Sequence, residues 1–186
     1  MSRDNISYPK IILTIIAALY FFRYAMTPND GHLIDGATMI AHEGGHFMFA
    51  FFGEFLHVLG GPLMQIAIPI LVVYYFYKHE EYFSASFVIF WVGQSLINTS
   101  IYEGDAIAQN LPLLVPFGAL NQNVDVTNDW TYLLTKIGLL NYTDVISHVF
   151  SILGICLIVL AIILCFKYSL NKSDPENKRD LSFLNL

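Results

Sequence analysis

The sequence predicts an all-α fold: a polytopic membrane helix bundle of about five transmembrane helices with one short interfacial helix. Three observations point there. Of the 186 residues, 55% are hydrophobic and 13% are charged, whereas soluble domains carry about 25% charged residues. Residues 58–77, 82–102 and 145–166 contain no Asp, Glu, Lys or Arg, and each run reaches the ~20 residues that a helix needs to cross a hydrocarbon core. Backbone amides in lipid find no water, so such runs fold as helices that satisfy them internally.

Taken in order, the first helix covers residues 9–26, with Pro9 in its first turn, where the missing N–H costs nothing. Arg3 and Lys10 precede it as they would in a signal peptide, but Tyr20-Phe21-Phe22-Arg23-Tyr24 stands where small residues would mark cleavage, so it is read as a retained helix. Thr27-Pro28-Asn29-Asp30-Gly31 is a turn. The second helix spans 33–52. Residues 53–61 form a connection closed by Gly60-Gly61-Pro62, and the third helix runs on to 77. After the polar Lys78-His79-Glu80-Glu81, the fourth covers 82–102.

Residues 103–143 are the longest polar stretch, and within them 130–140 read as an amphipathic interfacial helix, with Trp130 and Tyr132 suited to the headgroup level. The fifth helix covers 144–166. Residues 1–168 are thus the transmembrane bundle and 169–186 a charged C-terminal tail. Lys167, Lys172, Lys178 and Arg179 favour a cytoplasmic C-terminus. Five spans then put Arg3 and Lys10 on the far side, against the same rule, so the topology of the N-terminus stays open.

The net charge of −6 has no basic patch beside it, which excludes a nucleic-acid partner. Cys156 and Cys165 fall in one apolar run and read as packing residues. The bilayer is the expected environment, in an integral, multi-pass protein.

The chemistry concentrates in the second helix, at His42-Glu43-Gly44-Gly45-His46. Imidazoles four residues apart share one helix face, the spacing that lets two nitrogens reach one zinc ion at about 2.0–2.1 Å. Glu43 is placed to act as general base toward a water that the ion activates. Ionisable side chains at the centre of a spanning helix are expensive and mark function. Small side chains at Gly44 and Gly45 let another backbone approach, either a packing helix or an extended substrate.

Catalytic zinc keeps three protein ligands. Asp105, in Glu103-Gly104-Asp105-Ala106, is the leading candidate for the third, with an N-cap at Ala106 as its plain structural reading. Asp129 is the reserve. His148, early in the fifth helix, is a further candidate ligand or gating residue. Asp35, seven residues before His42 on nearly the same face, is placed to orient an imidazole from behind. His57 reads as a loop or interface histidine.

These residues resemble the site-2 protease family of intramembrane zinc metalloproteases. The resemblance rests on His42-Glu43-Gly44-Gly45-His46 in an apolar helix. It also rests on Gly60-Gly61-Pro62-Leu63-Met64-Gln65, similar to the family's Gly-Pro-Leu turn, where Asn is usual at the position of Gln65. The third part is Asn98 with Glu103-Gly104-Asp105, loosely similar to the family's Asn…Leu-Asp-Gly segment, with the Asp-Gly order inverted. It covers roughly residues 33–106. It implies a membrane metallopeptidase that cuts a transmembrane or membrane-proximal segment of a membrane-protein substrate, with zinc as cofactor. Two alternatives remain: a non-catalytic metal-binding scaffold subunit, and a metal or proton transporter, since intramembrane His, Glu and Asp also line ion paths.

Overall fold

The structure, a computed structural model, describes residues 7–111 and 128–170, and every regular element among them is helical. The α-helices are α1 (Tyr8–Met26), α2 (Leu33–Phe49), α3 (Glu54–Lys78), α4 (Tyr82–Gly104), α5 (Asp129–Lys136) and α6 (Thr143–Leu170), with 3-10 turns at Ala50–Phe52 and Leu140–Tyr142. The all-α expectation is met. The charged tail, apart from residues 169–170 in the last turn of α6, and the middle of the polar segment, residues 112–127, lie outside the described residues.

Three helices are long and apolar enough to cross a membrane: α1, α3, and α6 with the turn before it. They are consistent with a membrane protein. The expected five spans require two more. At 17 residues α2 falls short of the ~20 that span a bilayer core. At 23 residues α4 is long enough, but it carries Ser86, Gln94, Ser95, Thr99 and Ser100, all buried.

One connection departs from the sequence reading. The segment 53–61 is not a loop closed by Gly60-Gly61-Pro62; those residues lie inside α3, which begins at Glu54. The break falls instead at Gly53, whose φ of 91° suits glycine and few other residues. The glycine pair belongs to the helix because it faces α2 at very short range. A Cβ on Gly45 would stand 2.0 Å from the Gly60 carbonyl oxygen, and one on Gly60 would stand 2.5 Å from that of Gly45. Close backbone approach of this kind repays the ~1 kcal/mol that each glycine costs a helix. Of the two readings of Gly45, packing is the one observed, whereas Gly44 faces open space.

The short amphipathic helix forms as α5. Asn128 caps it, its side chain accepting from Trp130 N at 2.9 Å, and Leu133 and Leu134 are its buried face.

The described residues divide into two compact units. One takes those within Met1–Thr27, Ile68–Gln94 and Leu153–Leu186; the other takes those within Pro28–Ala67 and Ser95–Ile152. In the first, Phe21 stacks on Phe90 at 4.9 Å and Tyr82 on Tyr168 at 5.4 Å. A Cβ on Gly93 would meet the Gly154 carbonyl oxygen at 2.7 Å. The second unit contains the whole ionisable cluster.

Candidate metal centre

Helical spacing puts His42 and His46 side by side on α2, with ring centroids 4.8 Å apart. Their Nε2 atoms approach to 3.0 Å. A carboxylate oxygen of Asp129, at the first position of α5, stands 2.9 Å from His42 Nε2 and 3.1 Å from His46 Nε2. His42, His46 and Asp129 form the one group among the described residues with metal-binding spacing. Ligand atoms around tetrahedral zinc, with bonds of about 2.0–2.1 Å, lie about 3.3 Å apart, so the triangle is close to that size.

The far side of each ring determines what the near side offers. His46 Nδ1 donates to the backbone oxygen of His57 at 2.9 Å. A carbonyl only accepts, so Nδ1 carries a proton, and Nε2 is the nitrogen free to bind a metal ion once it gives up any proton it shares with Asp129. His57 Nδ1 donates in return to the His46 backbone oxygen at 2.9 Å, one of the last carbonyls of α2, which the helix itself leaves without a partner. His42 Nδ1 donates to Gln65 Oε1 at 2.9 Å. Burial pushes the Asp129 carboxyl up, but its contacts with His42 and His46 outweigh that and hold it at about 2, so it is ionised at neutral pH. The Nε2 atoms of both histidines and a carboxylate oxygen therefore converge. Such an arrangement needs a shared cation, either protons on the imidazoles facing Asp129 or a metal ion in their place, and two nitrogens and an oxygen are donors that suit zinc.

The structure separates the two carboxylates considered for the third position: Asp129, the reserve, stands with the imidazoles, and Asp105, the leading candidate, does not. The Asp105 side chain accepts from the backbone N–H groups of Asn110 and Leu111, each at 2.9 Å. It folds the turn that follows α4, which uses both of its oxygens. Asp129 reaches the histidines because α5 is tied down. Asn128 Nδ2 donates to Tyr102 O at 2.8 Å, the Thr131 hydroxyl donates to Ala106 O, and the Trp130 ring meets that of Phe150 edge-on.

The remaining candidates lie apart from the triangle. Asp35 accepts from the His32 backbone N–H at 2.7 Å, at the start of α2, rather than backing an imidazole. His148 is exposed and donates to Asp144 O in its own helix. Glu43 is half-buried and close enough to His46 to act on it electrostatically.

Sequence reasoning named Gly61 and Gln65 only within the turn motif and read His57 as a loop or interface histidine; the structure puts all three in α3 and against the histidines of α2. Gly61 lies against the imidazoles: a Cβ there would stand 2.4 Å from His46 Nε2 and 2.7 Å from His42 Nε2. Gln65 follows one turn later on the same face of α3. The available signal was a lone amide in an otherwise uncharged run, four residues after a glycine. Compared with known proteins, the chain matches no family model, no curated protein and no solved structure.

Proposed function

We propose that the chain is a multi-pass membrane protein of about five spans, α1 to α4 and α6, that holds zinc on His42, His46 and Asp129 and hydrolyses a peptide bond in or near a transmembrane segment of another protein. The observation that carries this reading is the meeting of three atoms able to bind a metal within 2.9–3.1 Å of one another, with the Nδ1 atoms of both histidines turned away toward Gln65 and the His57 carbonyl. The resemblance to the site-2 protease family supports it, with Asp129 in the place first expected for Asp105. We count two polar helices, α2 and α4, among the spans because Gln65 of α3 bonds polar groups of both, His42 on one and Ser95, Asn98 and Thr99 on the other.

When bound by His42, His46 and Asp129, zinc would supply Lewis-acid polarisation of a carbonyl and would make a water molecule acidic enough to lose its proton near neutral pH. The Glu43 carboxylate takes that proton as the water attacks the amide carbon. It then returns the proton to the departing amine nitrogen, so the carboxylate is regenerated and each bond made is matched by one broken. Asp129, already ionised, balances the charge of the ion. A helical substrate has to unwind beside the site, because its amides are otherwise paired and shielded.

The test is cleavage of a transmembrane reporter in liposomes. Glu43→Gln keeps its zinc and loses turnover by about 100-fold or more, the range expected for a general base. His46→Ala loses both zinc and turnover. Unchanged cleavage in Glu43→Gln contradicts the reading, and zinc-dependent flux without cleavage favours the transporter alternative.

A further inference from the structure

The proton position on His42 is less firmly held by its immediate partner than that on His46. His46 donates to a backbone carbonyl, which can only accept. His42 donates to a side-chain amide, whose two ends are opposite in character. The orientation of that amide decides which nitrogen of His42 is protonated.

Gln65 is buried on α3, and its orientation is settled from α4. Its Nε2 lies 3.2 Å from the Ser95 backbone oxygen, 2.9 Å from Asn98 Oδ1 and 3.2 Å from Thr99 Oγ1. The Ser95 carbonyl requires an N–H donor opposite it, so the NH2 end faces α4 and the Oε1 end faces His42. Without that acceptor, His42 gains more by moving its proton to Nε2 and donating to Asp129 Oδ2, 2.9 Å away. That tautomer offers no lone pair to a metal.

We propose that Gln65 is a positioning residue, clamped by Ser95, Asn98 and Thr99, that keeps the His42 proton on Nδ1 and turns the Nε2 lone pair toward His46 and Asp129. This rests on the metal-binding reading above. It extends that reading into α4, which makes the far wall of the site a determinant of metal affinity.

The experiment uses the full chain in micelles, with histidine labelled at nitrogen and the His42 signals identified by their loss in His42→Gln. Metal-free wild type, prepared with a chelator, is expected to show His42 protonated at Nδ1. Gln65→Met keeps the shape and removes the acceptor. It is expected to move His42 to the Nε2–H form and to lower zinc affinity, measured by chelator competition, by about 10- to 100-fold. Gln65→Glu restores an acceptor and is expected to recover the Nδ1–H signal. An Nε2–H signal in metal-free wild type overturns the proposal without any variant. So does a Gln65→Met protein that keeps Nδ1–H and binds zinc within twofold of wild type. If wild type binds no zinc, the metal reading fails, while the tautomer comparison still decides the role of Gln65.

Discussion

The unit containing α1 is held by rings and aliphatic side chains, while the unit containing α2 is held by imidazoles, amides and hydroxyls. In the first, Ala17, Phe21, Ala85, Phe90, Ile158 and Ala161 are buried, with fewer polar side chains among them, such as Gln94, which donates to the Tyr24 hydroxyl at 3.1 Å. In the second, Thr38, Gln65, Thr99, Glu103 and Asn128 are buried; Gln65 joins Asn98 and Thr99 to His42, and Asn128 ties α5 to the Tyr102 carbonyl. A hydrogen bond between membrane helices contributes only about 0.6 kcal/mol on average. Stability alone therefore gives little reason to gather so many polar groups in one unit. Both units use glycine for close contact, Gly93 in one and Gly45 with Gly60 in the other, but only the polar unit places a glycine, Gly61, against ionisable side chains.

The comparison can be broken most sharply at Gly61. Gly61→Ala inserts a methyl at 2.4 Å from His46 Nε2 and is expected to lower zinc affinity by about 100-fold, as displaced ligands do; chelator competition reads it. Next come the packing glycines. Gly45→Ala and Gly93→Ala each overpack a helix contact and are expected to destabilise by about 1–3 kcal/mol in thermal or denaturant unfolding. Gly45→Ala also weakens zinc binding, because it moves α2, whereas Gly93→Ala leaves zinc affinity unchanged.

Glu103 gives a smaller effect of opposite sign. It is fully buried, and neither carboxylate oxygen has a hydrogen-bond partner among the described residues. Glu103→Gln removes a charge that burial penalises and is expected to raise stability by about 1 kcal/mol. The smallest effect is expected from Tyr24→Phe, which removes the bond from Gln94 in the apolar unit, about 0.6 kcal/mol, with no change in zinc.

Much of the fold was legible because long uncharged apolar runs have few backbone solutions other than a helix. The uncharged runs became α3, α4 and α6, and Pro9 falls in the first turn of α1 as expected. The histidine pair was legible for the same local reason, since four residues on a helix is a fixed geometry. The third partner was not. Asp129 lies 83 positions after His46 (129 − 46), and only the anchoring of α5 through Asn128 brings it back. Asp105 looked better placed because it ends an apolar helix, but a short carboxylate at a helix end readily folds its own turn. The Gly60-Gly61 pair suggested a loop, because glycine ends helices more often than it packs them; the contact with Gly45 that reverses this is tertiary.

The central claim is tested most directly by X-ray absorption at the zinc edge, with metal content, on wild type, Asp129→Asn and Asp105→Asn. The account predicts one zinc per chain in wild type, bound through two imidazole nitrogens and a carboxylate oxygen. It predicts the same signal in Asp105→Asn, and loss of zinc in Asp129→Asn. Zinc retained unchanged in Asp129→Asn, or lost only in Asp105→Asn, would contradict it.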